Sequence, residues 1–218
     1  LILIDDDLLI KELKFTFLNN PIQLIDFSYF FSILCFLLLI NALNMFDGIN
    51  LQTGIYCVTI FSIFLFKDLY SGISLIIILS LTLFLYYNYF NRGFLGDNGT
   101  QVLAFIIAYI LIKSNNNSVN IFLPEEIFVL LSLPGLDMLR LFLYRIVNGK
   151  NPFRADRDHI HHLISNKINS NYAAIIIQTI TIINILFYYI ISYKLIAILF
   201  VILTYVFLFL YFKKERLA

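Results

Sequence analysis

Long apolar runs recur from one end of this chain to the other, each broken by a short polar stretch. Residues 25–43, 51–66, 72–90, 102–113, 127–146, 173–192 and 195–212 are rich in Phe, Ile and Leu and nearly free of charge. About 20 apolar residues wound as a helix match the ~30 Å hydrocarbon core of a bilayer, and a helix satisfies its own backbone there. The runs at 51–66 and 102–113 are the short ones. The expectation is an all-α, polytopic helical membrane protein with about seven clear transmembrane helices and functional cytoplasmic loops. Composition closes the alternative: with 61% of 218 residues hydrophobic and 13% charged, a soluble fold lacks the interior to hide them. Cys35 and Cys57 both lie in apolar runs, which argues against a disulfide framework. The net charge of +1 carries no nucleic-acid signal.

Residues 1–4 read as the tail of a membrane helix, so the chain is expected to be one integral membrane domain, a fragment lacking its N-terminal helices. Asp5, Asp6 and Asp7 follow, three adjacent carboxylates that are either solvated or share a cation. Residues 8–20 reach about 20 Å as a helix, too short for the core. With Lys11, Glu12 and Lys14 among them, they are expected at the surface, ending at Pro21. Residues 114–120 read as an Asn-rich turn.

Lys and Arg set the orientation. Lys150, Arg154, Arg157 and Lys167 lie in one loop, and Lys213, Lys214 and Arg216 in the C-terminal tail, with two spans between. Both therefore face the cytoplasm, and counting back puts the loops at 41–50 and 91–99 on the same side. The opposite loops carry only Lys67 and Lys194.

Three polar stretches in these loops carry chemistry. Asn41-Ala-Leu-Asn44-Met-Phe-Asp47-Gly48-Ile-Asn50 interrupts two apolar runs. A carboxylate flanked by amides binds a hard cation, a phosphate through that cation, or a sugar hydroxyl; a polar hairpin is the plain alternative. Gly93-Phe-Leu-Gly96-Asp97-Asn-Gly99-Thr100 surrounds one Asp with glycines before an apolar run. It suits a metal-bound phosphate at a helix start, or a simple N-cap turn. Pro152-Phe-Arg154-Ala-Asp-Arg157-Asp-His159-Ile-His161-His162 holds every histidine of the chain. Arginine forks and imidazoles suit phosphate; the adjacent histidines and the lack of a nearby Cys argue against structural zinc. Asp137 and Arg140, three apart inside the fifth run, are expected to form a mutual ion pair.

Together these stretches resemble the polyprenyl-phosphate N-acetylhexosamine-1-phosphate transferases, the WecA and MraY type. The first resembles their NAxNxxDGxDG loop, the second FxGDxGS, and the third PFxxDxxHxHH in its WecA-like form. Ile4-Asp5-Asp6 with Leu13-Lys14-Phe15 resembles the acidic IDD…LKL motif. The resemblance implies transfer of a sugar-1-phosphate from a UDP-N-acetyl sugar to undecaprenyl phosphate at the cytoplasmic face of a bacterial inner membrane, with release of UMP. This is the first membrane step of an envelope polysaccharide. It also implies Mg²⁺, with Mn²⁺ as the alternative, and a homodimer.

Carried over by motif, Asp97 is the metal ligand, and Asp5, Asp6 and Asp47 are the catalytic carboxylates. Asn44, Lys14 (or Lys11 in its place), Arg154, His159, His161 and His162 contact substrate. Asn50 stands where the family often has a second Asp, and Leu51 where a Gly follows. The register of Asp5–Asp7 is ambiguous by one residue. Only one expected span separates Asp5–Asp7 from Asp47, so counting puts them on opposite faces unless a helix is truncated or residues 8–24 re-enter the membrane. The rival readings are a transporter, which would line its spans with ionisable residues, and an inactive paralogue or scaffold.

Overall fold

The computed structural model describes residues 5–117, 122–151 and 158–214. The expectations at residues 1–4, at Arg154 and Arg157, at residues 118–120 and at Arg216 lie outside these.

Each expected run forms a helix: α1 (Ser28–Phe46), α2 (Gln52–Phe66), α3 (Ser71–Tyr89), α4 (Gly96–Asn117), α5 (Pro124–Val147), α7 (Ser170–Ile190) and α8 (Lys194–Lys214), with a short α6 (Ile160–Ser165) before α7. Five of them, α1, α3, α5, α7 and α8, are long and apolar enough to cross a membrane, and α2 is a shorter apolar helix. The protein is a multi-pass helical membrane protein. Its outer surface agrees: α3 buries only Ser74, Leu81 and Asn88, while Ile76, Leu83, Leu203 and Phe207 stand exposed where water would reject them.

Residues 9–20 form no helix. Asp6–Leu8 is a single 3-10 turn, and β1 (Glu12–Leu13) pairs antiparallel with β2 (Ile22–Gln23). This small hairpin lies at the end of the bundle where α4 stops and α5 begins, since Thr16 N–H donates to Glu125 Oε1 at 2.9 Å. α4 runs past both ends of its apolar core, so Ser114–Asn117 is helical rather than turn. The side chains there explain it: Asn115 bonds both the N–H and the carbonyl of Phe122, and Asn116 Nδ2 donates to the carbonyls of Asp7 and Leu9.

α2 and α3 pack as a hairpin; α1 lies against α4 and α5, and α5 against α7 and α8. The interior is aromatic and aliphatic, with Phe46, Tyr56, Ile60, Phe61, Phe64, Leu130 and Leu133 fully buried. One polar bond crosses it for a reason. Pro134 inside α5 has no N–H, so the carbonyl four residues back, Leu130, loses its helical donor. Tyr56 Oη–H supplies it at 2.9 Å. The hydroxyls of Thr59, Ser62 and Thr181 donate to carbonyls of their own helices and are satisfied there.

Candidate active site

Asn44 sits in the last turn of α1, and Asp47 caps that helix. α4 starts at Gly96, whose φ of +65° favours glycine, and places Asp97 in its first turn. The two helix ends meet. Asn44 Nδ2 donates to Asp97 Oδ1 at 3.0 Å and to Thr100 Oγ1 at 3.2 Å, and Thr100 donates to the Asp97 carbonyl at 2.9 Å. Burial holds the Asp47 carboxyl above its usual range, and the neighbouring Asp97 carboxylate adds to the shift. The neighbouring Asp47 and Asp97 carboxylates offer hard oxygen donors, which suit a divalent cation of the Mg²⁺ kind.

The histidine stretch closes over this pair. His159 caps α6, and His161 and His162 lie within it. His161 is 0% exposed and rests against Gly48, where an added Cβ would overlap its ring. Gln52 Nε2, from the first turn of α2, lies 3.5 Å from His161 Nδ1. Burial, reinforced by the His162 and His159 rings, pushes the His161 imidazole down to about 3, so the ring is neutral at physiological pH. Two buried atoms here, Gln52 Oε1 and His161 Nε2, have no hydrogen-bond partner among the described residues. Buried polar atoms are normally satisfied, so this pair of orphans makes the place a candidate for a polar ligand.

The loops are tied together by amides. Asn50 Nδ2 donates to Asn91 Oδ1 at 2.6 Å, Asn88 Nδ2 to Asn50 Oδ1 at 3.3 Å, and Leu51 N–H to Asn88 Oδ1 at 2.6 Å. Asn50, where the family often has an acid, thus acts as a latch between the α1–α2 and α3–α4 loops. Leu51, where the family has Gly, has a φ of +70°. The chain needs the left-handed turn at this point and makes it with leucine.

Asp137 was expected to pair with Arg140, and it does, at 2.8 Å. The structure adds what sequence spacing missed: His159 Nδ1 lies 2.8 Å from the other carboxylate oxygen, and Tyr205 Oη–H donates to Oδ1 at 2.9 Å. A carboxylate inside an apolar helix was the available signal; nothing in the sequence marked Tyr205 or Gln52. Asp137, His159 and His161 offer ligand atoms within 4.8 Å of one another. Yet Arg140 and Tyr205 hold the carboxylate, and the two imidazoles stack with planes 7° apart, so their in-plane lone pairs do not converge on one ion. This group is hydrogen-bonded.

Asn44, Asp47, Asp97, His159, His161 and His162 therefore gather at one end of the bundle. Asp5, Asp6 and Lys14 do not. Asp5 Oδ2 accepts from Lys113 Nζ at 2.6 Å, and Lys113 lies 16 residues along α4 from Asp97, about 24 Å away at ~1.5 Å per residue. The physical reason is the one span, α1, between Asp5–Asp7 and Asp47. Lys14 instead borders a separate, largely apolar cavity of about 730 Å³, with Phe31, Phe128 and the buried Glu125. Arg154 lies outside the described residues.

Comparison with known proteins bears on the chain as a whole. The undecaprenyl-phosphate alpha-N-acetylglucosaminyl 1-phosphate transferase of Escherichia coli O157:H7 is 29% identical over 169 residues, covering 72% of this chain and 46% of that protein. The Yersinia pestis protein of the same name is 29% identical over 149 residues, covering 63% and 41%. The Pasteurella multocida one is 31% identical over 105 residues, covering 44% and 29%. The chain spans less than half the length of these relatives. No solved structure matches it significantly. The model of glycosyl transferase family 4 matches residues 1–115, just over half of the chain. That stretch carries Asn44, Asp47 and Asp97, the helix ends that the fold brings together, and the chain belongs to glycosyl transferase family 4.

Proposed function

We propose that this protein transfers an N-acetylhexosamine-1-phosphate from a UDP-sugar to undecaprenyl phosphate, with N-acetylglucosamine as the first candidate sugar. A lipid phosphate oxygen forms a bond to the sugar-bearing phosphorus, the phosphoanhydride bond to the uridine-bearing phosphorus breaks, and UMP leaves. The names of the relatives support the substrates. The observation that carries the reading is the gathering of Asn44, Asp47, Asp97 and His161 at one bundle end, with buried Gln52 Oε1 and His161 Nε2 left without partners.

Both substrates are anions, so their approach needs positive charge and aligned donors. Asp97 would hold Mg²⁺, or Mn²⁺ in its place, with Asp47 beside it, and the bound cation would neutralise the diphosphate. Asn44 holds Asp97 in position from α1. Asp47, whose proton affinity burial raises, acts as base toward the lipid phosphate. Neutral His161 hydrogen-bonds the nucleotide sugar, and His159, His162 and Arg154 complete the substrate loop. Asp5 and Asp6, which resemblance assigns to the lipid phosphate, and Lys14 lie toward the other end of α4 and take no part in this reading. One substrate comes from the bilayer and the other from water, so the site belongs at the membrane boundary. The Lys- and Arg-rich loops argue for the cytoplasmic face of a bacterial inner membrane. A homodimer is part of the proposal.

The test is transfer of radiolabelled sugar phosphate from UDP-N-acetylglucosamine to undecaprenyl phosphate in membranes carrying the protein, with Mg²⁺ and then with EDTA. A metal-dependent lipid product that Asp97→Asn abolishes, with helix content unchanged, is the expected result. Near-normal turnover in Asp97→Asn sinks the metal assignment, and no product with any UDP-N-acetyl sugar sinks the function.

A further inference from the structure

Asp137 is 2% exposed in the middle of α5, and its carboxylate is shared among three elements. Oδ1 accepts from Arg140 Nη2 at 2.8 Å and from Tyr205 Oη–H, on α8, at 2.9 Å. Oδ2 lies 2.8 Å from His159 Nδ1. The backbone N–H of Ile160, first residue of α6, points at both oxygens from 3.3 Å. Arg140 also grips the loop before His159: its Nη2 donates to the Asp158 carbonyl at 2.7 Å, and its Nε to Tyr205 Oη at 2.8 Å. An ion pair that served only to neutralise Asp137 would end at Arg140. Here the second oxygen is spent on an imidazole.

That choice has a chemical consequence. A carboxylate only accepts hydrogen bonds, so Nδ1 must carry the proton, and a neutral His159 keeps its lone pair on Nε2. Nε2 stands on the far side of the ring from Asp137 and makes no hydrogen bond among the described residues. The ring is also held in plane. It stacks on His161 with centroids 5.2 Å apart, and His161 rests against Gly48, next to Asp47.

We propose that Asp137 is a positioning residue: it fixes the tautomer and orientation of His159 so that Nε2 is the acceptor offered to the substrate, and Arg140 and Tyr205 hold the carboxylate for that task. The role rests on the reading of the histidine stretch as the substrate loop. Asp137 itself touches no reacting atom.

Nitrogen-15 histidine spectra of the protein in nanodiscs at about pH 8, where a free imidazole is neutral, test the geometry without any variant. The chain has 3 histidines, and loss of one signal in His159→Gln assigns His159. The expected pattern is a protonated Nδ1 and a bare Nε2; the opposite tautomer overturns the proposal. Asp137→Asn then presents an amide N–H to Nδ1 and should switch the tautomer. The corresponding change in a serine-protease triad, a worked case of the wrong-tautomer effect, costs about 10⁴-fold in kcat. Here a fall in kcat of about 10²-fold or more is expected, with KM for UDP-N-acetylglucosamine within about threefold and an unchanged helical spectrum. A variant that folds but keeps both the tautomer and kcat overturns the proposal. If the native protein shows the expected tautomer but makes no lipid product, the transferase reading fails while the Asp137–His159 assignment stands.

Discussion

Gly48 and His161 touch so closely that a Cβ at Gly48 would overlap the imidazole. The α1–α2 loop and α6 come from distant parts of the chain, and this contact sets how far the histidine stretch settles toward Asp47. Glycine here is a requirement of approach, with no unusual backbone angle involved.

Gly48→Ala therefore pushes His161 away while leaving the helices intact. Overpacking of a tight contact costs about 1–3 kcal/mol; where that cost falls on the bound state, binding is about 5- to 150-fold weaker. Calorimetric titration with UDP-N-acetylglucosamine measures it, and affinity equal to the parent protein would show that His161 takes no part in binding.

Asp47 makes metal binding depend on pH. Burial and the Asp97 charge raise its proton affinity in the folded state above that of the unfolded chain. Without metal, the stability it contributes is fully present below the ordinary carboxylate pKa and is lost as pH rises through the raised value. A bound cation favours the ionised form and expels the proton. Mg²⁺ should thus stabilise the protein more at about pH 8 than at about pH 5. Titrations in two buffers of different ionisation enthalpy should report proton release at the acid end. An affinity for Mg²⁺ that does not change with pH would contradict this.

Asn50→Asp restores the acid common in the family and should weaken this fold. The side chain loses its donor to Asn91 Oδ1 and sets acceptor against acceptor. The expected cost is about 1–2 kcal/mol, seen as a thermal midpoint lower by about 2–8 °C. A midpoint at or above that of the parent would mean the amide ladder contributes nothing.

Leu51 holds a φ of +70° that a side chain resists at about 1–2 kcal/mol. Leu51→Gly should raise the thermal midpoint, less whatever the half-buried side chain contributes, and Leu51→Ile should lower it, because β-branching is worst in the left-handed region. Thermal unfolding in one detergent ranks the three proteins, and the reverse order would rule out strain at this turn.

Much of the architecture was legible in the sequence, because a bilayer leaves so few solutions. A run of Phe, Ile and Leu such as residues 72–90 has to be a helix in lipid, and its register hardly matters when lipid surrounds most of it. The polar stretches were legible for the same reason: Asp47, Asp97 and the histidines sit where apolar runs stop. Their sharing of one bundle end followed from counting spans.

Contact was a different matter. That Asn44 reaches Asp97, that Gln52 reaches His161, and that Asn50 latches onto Asn91 depend on how the helix ends pack, and spacing along the chain does not encode this. Asp137 shows the limit most clearly. Its partner three residues on was readable from helical periodicity, whereas His159, 22 residues away, and Tyr205, 68 residues away, reach it only once α5, α6 and α8 are packed. Sequence determined which segments enter the membrane and which residues stand at its edge, through solvation acting on each segment alone. Tertiary structure decided which of those residues meet, because hydrogen bonds and close contacts form between segments whose separation along the chain says nothing of their distance in space.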